Sequence, residues 1–189
     1  MITIFTIEKF LWLSIGIYWL ASAFNGKKTI KHQADLQRIL YMCLWIIAFL
    51  LLFSNNISIS FLYKPLFSQQ LFFKITGLIF CMAGLLFSVW ARVCIGRNWS
   101  GRISVKKNHE LVTTGAYAVT RNPIYTGFLA AFAGCAMTEG LAKGYLSLFF
   151  IIAGIMIKIR KEESYMNQVF KESFHKYKQR VKRLVPFIY

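Results

Sequence analysis

The sequence predicts an all-α fold: a polytopic membrane bundle of about five transmembrane helices, with a cytoplasmic loop and a C-terminal amphipathic helix. Three observations predict it. Of 189 residues, 57% are hydrophobic and only 16% charged, and the mean hydropathy is +0.50. A soluble domain this small cannot hide so much apolar surface in its core. The apolar residues gather in five stretches, about 4–24, 39–62, 71–95, 123–140 and 141–157. The 23 Lys and Arg, set against 7 Asp and Glu, concentrate in alternate gaps between those stretches.

Each of the first three stretches supplies the ~20 residues that a helix needs to cross a ~30 Å hydrocarbon layer. Ala21-Ser22-Ala23 resembles a signal-peptide cleavage site, but Lys27 and Lys28 follow the apolar run where a signal peptide would have them precede it. The first stretch therefore reads as a retained span. Asn55 and Asn56 make the end of the second polar, so its exit falls early. The fourth and fifth are shorter and meet at a turn near Glu139-Gly140, as a helical hairpin does.

Residues 25–38, 92–121 and 158–183 hold 19 of the 23 cations; the opposite side receives Lys9, Lys64, Lys74 and Lys143. Cytoplasmic loops of membrane proteins carry the excess of Lys and Arg. The three rich segments are thus expected on the cytoplasmic face, and the net charge of +16 orients the chain in a membrane. No nucleic-acid-binding motif competes for that charge. Cys43, Cys81, Cys94 and Cys135 sit singly in or at the ends of apolar runs and read as buried free thiols. His32, His109 and His175 share no metal-ligand spacing, so no metal site is expected.

The chemistry is expected in the polar segments. Gly96 to Asn122 is long for a helix–helix connection, where 2–8 residues are usual. Its β-branched pieces, Ile103–Val105 and Val112–Thr114, can run extended, and Leu111 and Val112 can lie against a flat heterocycle. The loop ends on Arg121-Asn122-Pro123. Pro123 suits the first turn of a helix and Asn122 its N-cap. Arg121 and Tyr125 then face the same way, and with the helix N–H groups they can receive an anionic group such as a carboxylate. Glu162 and Glu163, two of the seven acids, fall together where the last span ends. They can pair with Arg121, Arg160 or a cationic ligand. Beyond them Met166, Val169, Phe170, Phe174, Tyr177, Val181 and Leu184 recur at steps of three and four. This is an amphipathic helix over 158–185, a lid or a membrane anchor, ended near Pro186.

Together these segments resemble the isoprenylcysteine carboxyl methyltransferases, relatives of the membrane phospholipid methyltransferases. The likeness rests on Gly96-Arg97-Asn98-Trp99-Ser100, on His109-Glu110-Leu111-Val112 with Thr114-Gly115-Ala116-Tyr117, and on Arg121-Asn122-Pro123-Ile124-Tyr125-Thr126-Gly127. It continues in Glu162-Glu163 and the tail Phe170, Tyr177 and Val181-Lys182-Arg183-Leu184-Val185-Pro186. Two departures stand out. The family usually has Arg-His-Pro where this chain has Asn122 in the middle, and Asn does not titrate near neutral pH. The family tail commonly has Phe-Gly, here Phe170-Lys171.

The likeness covers about residues 71–186 and implies a methyltransferase core over 71–189, while 1–70 adds two N-terminal spans of generic apolar pattern and a basic cytoplasmic loop. It implies S-adenosylmethionine held between loop and membrane-exit helices, with a lipophilic or lipid-anchored methyl acceptor entering from the bilayer. His109, Leu111, Val112, Gly115, Tyr117, Asn122, Tyr125 and Glu162 match the cofactor-binding pattern. Arg121 and Glu163 are the candidates at the acceptor. Two rivals are an NADPH-dependent membrane reductase of the steroid-reductase type and a non-enzymatic helical transporter or assembly factor. The reductases tend to carry Asn before the Tyr, where this chain has Ile124.

Overall fold

The structure, a computed structural model, describes residues 3–23, 29–32, 36–66, 70–99, 104–106 and 110–188. The chain runs through α1 (Ile4–Ala23), β1 (Thr29–His32), α2 (Leu36–Phe53) and a 3₁₀ turn (Ser60–Tyr63). Then come α3 (Leu71–Ile95), a 3₁₀ turn (Gly96–Asn98), β2 (Ser104–Lys106), the short α4 (Ala116–Val119), α5 (Pro123–Glu139) and α6 (Ala142–Arg180). Among the described residues, four helices are long and apolar enough to cross a membrane: α1, α2, α3 and α6. The fifth, α5, has 17 residues and spans roughly 25 Å at 1.5 Å per residue. It lies inside the bundle, with Ala131, Phe132, Cys135 and Ala136 almost fully buried.

The closest helix pair is α3 with α5, and small residues explain why. Gly77, Cys81, Gly84 and Ser88 on α3 face Gly127, Ala131, Gly134 and Thr138 on α5, at steps of three and four on both helices. Such notches let backbones approach where lipid offers no hydrophobic drive between helices. A Cβ at Gly84 would lie 2.6 Å from the Ala131 nitrogen, and one at Gly127 would lie 2.9 Å from the Ser88 nitrogen. Ser88 Oγ donates across the pair to the Ile124 carbonyl at 3.1 Å. Around this core Trp12, Phe49, Phe53, Phe128 and Phe132 interlock at centroid distances of 5.0–6.4 Å. Outward faces of α1, α2 and α3 carry Phe10, Leu13, Leu36, Leu50, Phe72 and Leu86, all more than half exposed. That apolar girdle marks the lipid-facing surface.

The three cation-rich segments meet at one end of the bundle. β1 pairs antiparallel with β2, linking the first segment to the second. Arg121 N–H donates to the Lys182 carbonyl at 2.8 Å, linking the second to the third. The other end is closed by the α5–α6 turn: Leu66 N–H donates to Gly140 O at 2.9 Å and Ala142 N–H to Lys64 O at 3.0 Å. There Lys143 is buried, paired with Glu139 at 2.5 Å and donating to the Ser54 carbonyl at 3.1 Å. Glu8, Cys81 and Cys135 converge near that end, with Thr138 donating to Glu8 at 2.7 Å and Trp12 Nε1 to Cys135 Sγ at 3.3 Å.

The second helix ends at Phe53, the early exit that the polar Asn55-Asn56 pair suggests, and a separate 3₁₀ turn fills 60–63. Three details differ from the sequence expectations. Cys43 faces outward on α2, exposed, where the sequence suggests burial. Asn122 occupies the N-cap position of α5, but its side chain turns away from the helix N–H groups toward Glu163 and Arg183. The last helix does not begin anew at 158. It runs unbroken from Ala142 to a kink at Lys171, whose φ is +42°, and ends at Arg180. Only glycine adopts that backbone freely, and Lys171 is the position where the family tail commonly has Gly.

Candidate active site

At the cation-rich end, a cavity of about 140 Å³ opens between the end of α3, residues 110–112, α4, the start of α5 and both limbs of α6. Pro123 sits at the first turn of α5, where its missing N–H is harmless. One turn of α5 thereby carries Arg121, Asn122 and Tyr125 to the rim and floor. On α6, Glu162, Glu163, Tyr165 and Met166 face the same space. Ile95, Trp99, Leu111 and Val112 form an apolar wall, and Phe174 and Tyr177, beyond the Lys171 kink, close over it. Tyr177 donates to the Tyr117 carbonyl at 2.6 Å, which fixes the lid to α4.

The two glutamates do different things. Glu163 is the centre of a buried clasp. Arg121 Nε donates to its Oε1 at 2.9 Å, Asn122 Nδ2 donates to the same oxygen at 3.3 Å, and Arg183 Nε donates to Oε2 at 3.1 Å. Arg121 Nη1 also donates to the carbonyls of Val181 and Lys178, at 2.6 and 3.3 Å. Thr120 and Thr126 bind the Arg183 and Leu184 carbonyls at 2.9 and 2.7 Å. The start of α5 therefore holds the C-terminal tail across the cavity. Asn122 acts in this clasp purely as an amide donor, which explains how the position works without a titratable ring.

Glu162 instead faces the cavity floor. The Tyr125 hydroxyl donates to its carboxylate, 3.0 Å from either oxygen, and Lys158 Nζ lies 3.9 Å from Oε1. Burial, with Glu162's negative charge behind it, pushes the Tyr117 phenol well above its ordinary value, so Tyr117 stays neutral.

Of the residues expected from sequence, Leu111, Val112, Tyr117, Arg121, Asn122, Tyr125, Glu162 and Glu163 all line this cavity. Gly115 does not. With φ +61° it starts α4, and a Cβ there would lie 2.7 Å from Cys94 Sγ, so it presses α4 onto α3. His109 lies outside the described residues. Sequence reasoning missed Asn98, Tyr165, Met166 and Lys158. Three of these follow from helical spacing, because 158, 162 and 165–166 share one face of α6. Asn98 carries no such signal.

The fold and the cavity define a polytopic helical membrane protein with an enclosed polar site at its cation-rich end. The family model for phospholipid methyltransferases matches residues 72–173. The chain is 26% identical over 174 residues to a probable protein-S-isoprenylcysteine O-methyltransferase of Oryza sativa subsp. indica, covering 90% of this chain and 88% of that one. It is 31% identical over 140 residues to the protein-S-isoprenylcysteine O-methyltransferase of Saccharomyces cerevisiae, covering 68% of this chain and 57% of the other. The fold matches the solved eukaryotic intramembrane Ras methyltransferase ICMT (isoprenylcysteine carboxyl methyltransferase). The TM-score is 0.52 at 24% identity, over 82% of this chain and 54% of that one. This chain belongs to the phospholipid methyltransferase family. It is an integral-membrane methyltransferase, and these relatives favour that activity over the reductase and transporter alternatives.

Proposed function

We propose that the cavity binds S-adenosylmethionine and that its methyl group passes to a lipophilic or lipid-anchored carboxylate of the isoprenylcysteine kind. One observation carries the reading: two kinds of wall meet in a single cavity. Ile95, Trp99, Leu111 and Val112 make an apolar slot suited to a flat heterocycle, and at its edge Asn98 Oδ1 and the Tyr165 hydroxyl are buried without a partner among the described residues. Buried polar atoms are normally hydrogen-bonded, so these two suit the polar edge of a nucleoside. In the same cavity, the Glu162 carboxylate suits an ammonium group.

In this reading Leu111, Val112, Tyr117, Tyr125 and Glu162 contact the cofactor, His109 joins them through its match to the family's cofactor-binding pattern, and Gly115 and Asn122 hold the backbone that shapes its site. Arg121 and Glu163 are positioning residues, acting through the tail that they clasp over the acceptor end. Residues 71–189 form the methyltransferase core and 1–70 its membrane support. The charge asymmetry supports a cytoplasmic cavity and C-terminus. Bound, S-adenosylmethionine supplies a methyl group on a sulfonium, which leaves as a thioether without needing a proton. The side chains have only to bind, orient and exclude water.

A cavity of about 140 Å³ is smaller than the ~300 Å³ at which ligand pockets usually begin. Cofactor entry therefore requires the limb of α6 beyond Lys171 to swing outward. Calorimetric titration of the detergent-solubilised protein tests the reading: S-adenosylmethionine binds and NADPH does not. Glu162→Gln, which removes a charge-assisted contact, weakens binding by about ten- to a hundredfold. Unchanged affinity in folded Glu162→Gln and Tyr125→Ala variants would overturn the site.

A further inference from the structure

The cation that the sequence offers to an anionic acceptor, Arg121, is already engaged. Its Nε is held by Glu163 and its Nη1 by two backbone carbonyls. Lys158 is not. It sits one helical turn closer to the bilayer centre than Glu162, and only 7% of it is exposed. Its Nζ lies over three aromatic rings, those of Tyr41 at 5.4 Å, Trp45 at 5.2 Å and Tyr125 at 5.6 Å from their centroids. The nearest carboxylate oxygen, Glu162 Oε1, is 3.9 Å away, beyond hydrogen-bond reach. Among the described residues this ammonium donates no hydrogen bond. Aromatic faces soften the desolvation of a cation but leave its N–H donors unused.

The cage is built into the helices. Tyr41 and Trp45 are four residues apart on α2, and Gly154 on α6 makes room for the indole: a Cβ there would lie 2.8 Å from Trp45 Nε1. Tyr125 belongs to both the cage and the cavity floor. Lys158 thus stands directly behind the floor, on its membrane side.

We propose that Lys158 is the acceptor-orienting residue: its caged ammonium receives the carboxylate of a lipophilic acceptor coming from the bilayer. This rests on the reading of the cavity as an S-adenosylmethionine site. Charge balance supports it. Lys158 and Glu162 cancel, and S-adenosylmethionine carries one net positive charge from its sulfonium, ammonium and carboxylate. An acceptor carboxylate brings the enclosed site to neutrality, whereas a neutral amine leaves it cationic in a low-dielectric region, where uncompensated charge is most unfavourable. The remaining cation of the clasp, Arg183, is 28% exposed in its side chain and is screened by water.

The test uses the full chain in neutral detergent, saturated with S-adenosylhomocysteine so that no turnover occurs. Binding of N-acetyl-S-farnesylcysteine is compared with that of its carboxamide by calorimetry. The proposal expects the wild type to prefer the carboxylate by about tenfold or more, as a charge-assisted contact provides. Lys158→Met abolishes the preference while leaving the affinity for the carboxamide and for S-adenosylhomocysteine within about threefold, and Lys158→Arg retains most of it. During turnover, Lys158→Met raises KM for the acceptor more than it lowers kcat. Lys158→Gln serves in its place if the Met variant does not fold.

Equal wild-type affinities, or a preference that survives both substitutions, overturn the proposal. Displacement of the carboxylate by phosphatidylglycerol but not by phosphatidylcholine assigns the subsite to lipid headgroups and overturns it as well. A wild type that binds S-adenosylhomocysteine but neither farnesyl compound contradicts Lys158's role alone, whereas failure to bind S-adenosylhomocysteine contradicts the cofactor reading beneath it.

Discussion

Glu163 gathers Arg121, Asn122 and Arg183 around one carboxylate, and both it and Arg121 are about nine-tenths buried in their side chains. Removing one partner of such a pair leaves an uncompensated buried charge. Glu163→Ala is therefore expected to destabilise the protein by roughly 3–5 kcal/mol and to free the tail. Thermal unfolding in detergent, with limited proteolysis beyond residue 180, measures both effects. Lys171 offers the opposite case. A lysine at φ +42° interrupts α6 where glycine would sit without strain. Lys171→Gly should raise stability by about 1 kcal/mol, read as a higher midpoint of unfolding. The sequence carries half of this lesson, since the departure from Phe-Gly is visible in it. That position 171 needs a positive φ is a property of the folded chain.

At the scale of elements, α3 and α5 stand or fall together. Gly84→Leu would drive a branched side chain into the α5 backbone, and the resulting overpacking is expected to exceed the usual 1–3 kcal/mol. Loss of the monodisperse species on size exclusion would report it. The limb of α6 beyond Lys171, which closes over the cavity, is the counterpart expected to move on binding. S-adenosylmethionine binding should change hydrogen exchange in 172–184 more than in 142–160, and equal changes would deny the lid its role. Apolar stretches predict the main helices because a bilayer demands ~20 apolar residues in a row. They miss the kink because heptad-like spacing continues through residue 171. The clasp, likewise, pairs residues some 20–60 positions apart, which no local pattern reveals. Lys158 reads in the sequence as one more cation of a cytoplasmic run, and only tertiary packing puts it among Tyr41, Trp45 and Tyr125.

Over the whole molecule, charge sorts by end. The cation-rich segments, kept apart in sequence first by α2 and α3 and then by α5 and the first limb of α6, are brought together by the β1–β2 ribbon and by the Arg121 clasp. This arrangement is legible in the sequence because alternate gaps must emerge on the same side of a membrane. The cavity lies at that end, which on the proposed reading is where a water-borne cofactor meets a bilayer-borne acceptor. Most of the expected site residues line it because their motifs fall at helix ends and loops facing one another, whereas Asn98 and Tyr165 stand out through atoms left without a partner among the described residues. The central claim is methyl transfer to a lipophilic carboxylate. Its most direct measurement incubates the reconstituted protein with methyl-labelled S-adenosylmethionine and N-acetyl-S-farnesylcysteine, then treats the organic extract with alkali. The expected outcome is label in the extract that alkali releases as methanol, the signature of a methyl ester. Label that resists alkali, or none at all from protein that binds the cofactor, would contradict it.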